Sequence, residues 1–72
     1  MESHLEHKMN QYFARENATL CSLFQSLDTV TSIRAKELIE DQIVETIAGI
    51  KRLGGTPSIT LNDLNKRNGH NI

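Results

Sequence analysis

The chain has few of the residues that form cross-links, metal centres or aromatic surfaces. Its 72 residues include one cysteine, no tryptophan, one tyrosine and two phenylalanines. A single cysteine excludes an internal disulfide and a zinc site built from cysteines. No run reaches the roughly 18 apolar residues that a membrane-spanning helix needs. No basic segment followed by an apolar stretch opens the sequence, so we expect no secretory signal and a cytoplasmic protein.

The lone cysteine, Cys21, lies in the apolar run Leu20–Phe24. We expect a buried, inert thiol at this position. A redox sensor, which is the alternative, needs a nearby cation to lower the pKa of the thiol, and the adjacent sequence contains none.

Glycine and proline are also scarce, with four and one residues, and neither interrupts residues 3–27. Apolar residues recur there at intervals of three and four, which is the periodicity of a helix rather than of a strand. Ser3 and Glu6 fit a capping box at the start, whereas Asn17 and Thr19 form helices poorly and allow a break near residue 17. The pattern predicts a first helix over 3–27. Its apolar positions are Leu5, Met9, Tyr12, Phe13, Leu20, Leu23, Phe24 and Leu27.

A turn and a second helix follow residue 27. Short polar side chains favour a turn here, with Asp28, Thr31 or Ser32 as the next N-cap. Beyond it, acidic residues precede basic ones, and Gly54-Gly55 suits the end of a helix. The pattern predicts a second helix over 32–53. Isoleucines repeat on or near one of its faces, at Ile33, Ile39, Ile43, Ile47 and Ile50.

Two helices of matched length joined by a short turn predict an all-α fold, an antiparallel helical hairpin within a domain over 1–55. A lone hairpin of this size has a small core. We therefore expect self-association, most simply a homodimer that forms a four-helix bundle, or pairing with a helix of another protein. The predicted interface residues are Tyr12, Phe13, Phe24, Ile39, Ile43, Ile47 and Ile50.

Residues 56–72 form a basic C-terminal tail. Residues 1–50 carry four basic and eight acidic groups, a charge of −4, whereas residues 51–72 carry four basic and one acidic group, a charge of +3. Thr60 favours a short third helix over 60–67, with Gly69 beyond its end. A mobile tail is the alternative. Because the hairpin has its own apolar seam, we expect it to fold without this tail.

The sequence offers little for catalysis or metal binding. His4 and His7 share a helix face, but a structural zinc takes four ligands. The acidic residues of the second helix lie mostly off its isoleucine face, and no histidine follows them. No nucleophile has a base at a recognisable spacing, and Gly54-Gly55 lacks the lysine of a phosphate loop. We therefore expect no enzyme, no cofactor, no metal and no small-molecule substrate.

The segment Ile47–Gly69 resembles the opening of the helix-turn-helix domain in TetR-type repressors. The shared features are a helix ending at Gly54-Gly55, a threonine-capped helix from Thr60, and a glycine turn at Gly69. The recognition helix that this resemblance implies would follow Ile72, so it assigns no DNA-reading residue within the 72 positions.

Two functions follow from these features. The first is a small helical interaction protein, namely a regulator, an adaptor or a partner-specific chaperone, that acts through its apolar helix face. The second is a dimeric regulator associated with DNA or RNA, which the net charge of −1 does not favour. One continuous basic face would support the second function. Its predicted contacts are Lys51, Arg52, Lys66 and Arg67.

Overall fold

The computed structural model describes residues 4–67, which form three α-helices. They are α1 (His4–Ser26), α2 (Ile33–Arg52) and α3 (Leu61–Arg67). No strand occurs among the residues described. The helices α1 and α2 pack against each other as an antiparallel hairpin, which confirms the all-α prediction. The predicted cap at Ser3 lies outside the described residues.

Both ends of α2 are fixed by local hydrogen bonds. Ser32 is the N-cap, and its hydroxyl accepts a hydrogen bond from the Ala35 N–H at 3.3 Å. At the other end, Gly54 adopts a φ of 86°, and the Gly55 N–H donates to the Ile50 carbonyl at 2.9 Å. This is a Schellman ending, in which a glycine in the left-handed region satisfies the last carbonyls.

The core contains six buried apolar side chains from all three helices. Five come from the hairpin and one from α3, which packs in the same cluster. They are Leu20, Leu27, Ile43, Ile47, Ile50 and Leu64. The core is therefore not completed by the hairpin alone.

Residues 56–67, which we call the strap, fold back along α1. Pro57 and Leu64 in the strap are buried. Of the two alternatives for this segment, the structure shows the short helix, which begins one residue after Thr60. The predicted Gly69 lies outside the described residues. Leu64 joins the core, so the strap contributes to the packing of the hairpin. That the hairpin folds without the strap stays a prediction.

The molecule is long and thin. Its principal extents are 48 × 23 × 15 Å, so the hairpin and strap leave broad surfaces close to the core. Within the described part of the chain, neither long helix has an apolar stretch sufficient to cross a bilayer.

Candidate interaction surfaces

The structure divides the predicted interface residues into two groups. Ile43, Ile47 and Ile50 are at most 2 % exposed, because they pack in the core of the protomer itself. The other four, Tyr12, Phe13, Phe24 and Ile39, are half-buried. In this conformation a partner can reach only the second group.

Tyr12 and Phe13 pack on different parts of α2 and its C-terminal turn. Their rings meet edge to face, with centroids 5.7 Å apart. The Phe13 ring lies so close to Gly55 that a Cβ there would be 2.7 Å from it. The Tyr12 hydroxyl lies 3.6 Å from the Cβ position of Gly49. Phe13 therefore borders the start of the strap, whereas Tyr12 marks another side of the hairpin.

That other side carries a stripe of uncharged residues along α2. A helix advances about 100° per residue, so uncharged positions at spacings of three and four around Gly49 line up on one side. Glu45 and Arg52, four residues before and three residues after Gly49, border this stripe along one edge. Tyr12 and Leu23 of α1 are three turns apart on the same side, and Glu16 lies between them. The stripe and these two side chains form a surface that we call the neutral face, after the stripe on α2. Its members on α2 and just beyond are Ala35, Leu38, Ile39, Gln42, Thr46, Gly49 and Leu53.

Two large apolar side chains of the neutral face are open to solvent. Leu38 is 61 % exposed and Leu53 is 48 % exposed, whereas Tyr12, Leu23 and Ile39 are half-buried. Sequence reasoning missed this stripe because glutamine, threonine and glycine interrupt its apolar character. The signal that could have found it is the run of uncharged residues between Ala35 and Leu53 at spacings of three and four.

The strap is held to α1 by one side chain in particular. Asn17 accepts a hydrogen bond from the Ser58 N–H at 2.8 Å, and its amide nitrogen donates to the Thr56 carbonyl at 3.3 Å. The sulfur of Cys21 lies 3.7 Å from the Ser58 hydroxyl. Cys21 is exposed, so the expectation of a buried thiol is wrong. The sequence marked Asn17 only as a poor helix former.

The helical end of the strap has its own cap and its own ion pair. The Thr60 N–H donates to the Asp63 carboxylate at 2.9 Å, and the Asp63 N–H donates to the Thr60 hydroxyl at 3.2 Å. These bonds from the backbone and side chain of Thr60 hold the pKa of Asp63 below its ordinary value. At the last residue of α3, the Arg67 guanidinium pairs with the carboxylate of Asp28.

The four basic residues proposed to contact nucleic acid lie at two ends of the hairpin. Lys51 and Arg52 end α2, near the level of Phe13, whereas Arg67 lies beside Asp28. At 1.5 Å per residue, these levels are about 20 Å apart along α1. The basic residues do not form one continuous face, and the charge of Arg67 is balanced. This arrangement weighs against the nucleic-acid alternative.

Chemically, the described residues present surfaces rather than an enclosed site. Residues 4–67 contain no group of three or more histidine, cysteine, aspartate or glutamate side chains placed to hold a metal. No pocket is found among them. No protein-family model matches the chain, and comparisons with curated proteins and with solved structures gave no match.

Proposed function

We propose that this chain is a small helical interaction protein that acts through its neutral face. We also propose that a second copy covers this face, so that two hairpins form a four-helix bundle. The observation that carries the proposal is an uncharged stripe on α2 with Leu38 and Leu53 largely exposed. Burying such a stripe removes apolar surface from water, and none of its own members carries a charge that would have to be desolvated.

The chain exposes more surface than a compact protein of the same mass. The chain exposes 5380 Å², whereas a compact monomer of 8.1 kDa exposes about 4,500 Å². A standard protein interface buries about 800 Å² from each partner. The short axis of 15 Å explains the excess, because a slab one helix layer thick covers few of its side chains.

The position of the strap supports the neutral face, rather than the opposite side of the hairpin, as the interface with a second copy. It packs across the side of the hairpin that carries Asn17 and Cys21, so the chain already covers that side. The neutral face has no such cover, and a second hairpin supplies helices of the same length. In the resulting dimer both straps lie on the outside, where each remains accessible to other proteins.

A pair of variants on α2 tests the proposal. Leu38→Glu places a charge on the neutral face, and we expect it to weaken the dimer at least about tenfold. Val44→Glu is the matched control, because Val44 is an exposed apolar residue of the same helix outside this face. The molar mass in solution and the helical circular dichroism of both variants are measured together. Equal dimer strength in two folded variants would overturn the assignment of this face.

A further inference from the structure

The groove between α1 and α2 under the strap is the second surface that can hold a partner. We propose that this groove is a peptide-binding site and that the strap is its intramolecular occupant. Its partner ligand is a segment of the same chemistry, namely an extended stretch with a proline, followed by a short helix with an inward leucine and a terminal cation. This site lies apart from the neutral face and does not depend on dimer formation.

The Asn17 side chain forms hydrogen bonds with the main chain of the segment that occupies the groove. Its amide accepts from the N–H of Ser58 and donates to the carbonyl of Thr56, two residues earlier. One planar group thereby pairs with both kinds of backbone group, one on each side of Pro57. Main-chain bonds of this kind supply affinity for any extended peptide, and side-chain contacts must supply the selectivity.

Four strap residues supply those contacts, and one of them, Ile59, is half-buried against the core cluster. Pro57 is buried between the two main-chain groups that Asn17 binds. Leu64 is 6 % exposed and packs in the core cluster. Arg67 pairs with Asp28, whose side chain is 72 % exposed and therefore accessible to a cation from another molecule. The ligand chemistry is thus an apolar ring, an isoleucine, a leucine and a basic residue in that order.

Asn17 departs from the local rules in a way that this role explains. Asparagine is a poor residue for the interior of a helix, because its side chain competes for backbone hydrogen bonds. Here α1 stays continuous through Asn17, and the amide bonds lie outside the helix. Local violations of this kind are expected at functional positions.

We expect the strap to leave the groove at a lower free energy than unfolding of the core requires. A helix of seven residues is not stable alone, since isolated helices shorter than about 12 residues are marginal in water. Leu64 is the one buried residue of this helix, and Leu61 is 45 % exposed. The remaining links of the strap are the buried Pro57, the half-buried Ile59, the hydrogen bonds to Asn17 and the ion pair of Arg67. Segments with few buried contacts and exposed hydrogen bonds open at lower free energy than the core.

Hydrogen exchange of the full chain tests whether the strap opens by itself. We expect the Leu64 amide, which donates to the Thr60 carbonyl, to exchange at least about tenfold faster than the amides of Ile43 and Ile47. Equal protection of α3 and α2 would mean that the strap leaves only when the whole chain unfolds, and this result would overturn the proposal.

Binding in trans tests the site directly. The probe is a fluorescent peptide with the sequence of residues 56–67, added to the full chain. Leu64→Asp displaces the strap, and we expect the peptide to bind this variant at least about tenfold more tightly than the native chain. If this variant loses its helical circular dichroism, Arg67→Glu serves instead, because it loosens the strap without altering the core, and at least about a twofold gain is expected. A folded variant that does not gain affinity for the peptide would overturn the proposal.

The role of Asn17 is tested by a second substitution in the variant whose strap is displaced. Adding Asn17→Ala is expected to weaken peptide binding at least about tenfold, because two hydrogen bonds are lost. Adding Gln11→Ala is the matched control, since Gln11 is an exposed amide on α1 that lies about 120° around the helix from Asn17. Equal binding by the two, or binding of a scrambled peptide, would show a non-specific apolar surface and overturn the assignment.

Discussion

Gly49 and Gly55 differ in the room that surrounds them. A Cβ at Gly55 would lie 2.7 Å from the Phe13 ring and 2.9 Å from Ile50. A Cβ at Gly49 would meet only the Tyr12 hydroxyl, at an ordinary 3.6 Å. Gly55 is therefore required by close packing, whereas Gly49 is not.

This contrast gives a prediction for two alanine variants. Gly55→Ala is expected to destabilise the fold by about 1–3 kcal/mol, because the aromatic ring and the last turn of α2 must shift. Gly49→Ala is expected to stabilise it by about 0.5–1 kcal/mol, because alanine in a helix interior loses less backbone freedom than glycine. Urea unfolding at one protein concentration measures both changes. Equal destabilisation by the two variants would contradict the packing described for Phe13.

At the residue scale, the sequence predicted the helix ends, because these depend on residues close together in the chain. Ser32 and Thr60 are caps because their hydroxyls accept nearby N–H groups, and Gly54 ends α2 because it can adopt a positive φ. Asn17 was predicted only as a weak point in the first helix. Its partners lie 39 and 41 residues away, and no local rule reveals a contact of that range.

We expect the first turn of α3 to be sensitive to acid. Bonds from Thr60 lower the pKa of Asp63 in the folded state. A lowered pKa means that the charged form stabilises the helix above the pKa of the unfolded chain, and that this contribution is lost as the pH falls through the folded value. We therefore expect α3 to loosen below about pH 4.

Asp63→Asn isolates this effect, because it retains an oxygen acceptor and removes the titrating group. The NMR shifts of the α3 amides are followed from pH 6 to pH 2 in both proteins. The native chain is expected to show a transition in α3 that the variant lacks. An identical transition in the two proteins would assign the acid sensitivity to another carboxyl group.

At the element scale, periodicity predicted the helices well. The expected spans 3–27 and 32–53 correspond to His4–Ser26 and Ile33–Arg52 in the structure. The break near residue 17 is absent, because packing along α1 overrides the weak propensity of two residues. The apolar pattern also located the core face of α2, but it did not separate residues used within the protomer from those open to a partner.

The whole molecule depends on the strap to complete its core. Removing residues 56–72 takes away the buried Pro57 and Leu64, and burying one leucine contributes about 2 kcal/mol. We expect the chain 1–55 to lose at least this amount of stability, measured by thermal unfolding followed with circular dichroism. Leu64→Ala should reproduce much of the loss, and Leu61→Ala, at a 45 % exposed position, should not. An unchanged midpoint after truncation would contradict this role.

The sequence left the strap as either a helix or a mobile tail for a physical reason. The four apolar residues within 56–67 do not determine whether the segment docks, because docking depends on a groove made by distant helices. The separation of the four basic residues into two groups was not predictable for the same reason, because Arg67 reaches Asp28 only after the strap folds back along α1.

The measurement that tests the central claim most directly is the molar mass of the native chain by light scattering, across a concentration range and at low and high salt. Pairing through the neutral face predicts a rise toward about 16 kDa, twice the 8.1 kDa of one chain. High salt should not reverse this rise, because screening weakens contacts between charges and the neutral stripe on α2 has none. A mass of one chain at every concentration, or a dimer that salt dissociates, would contradict it.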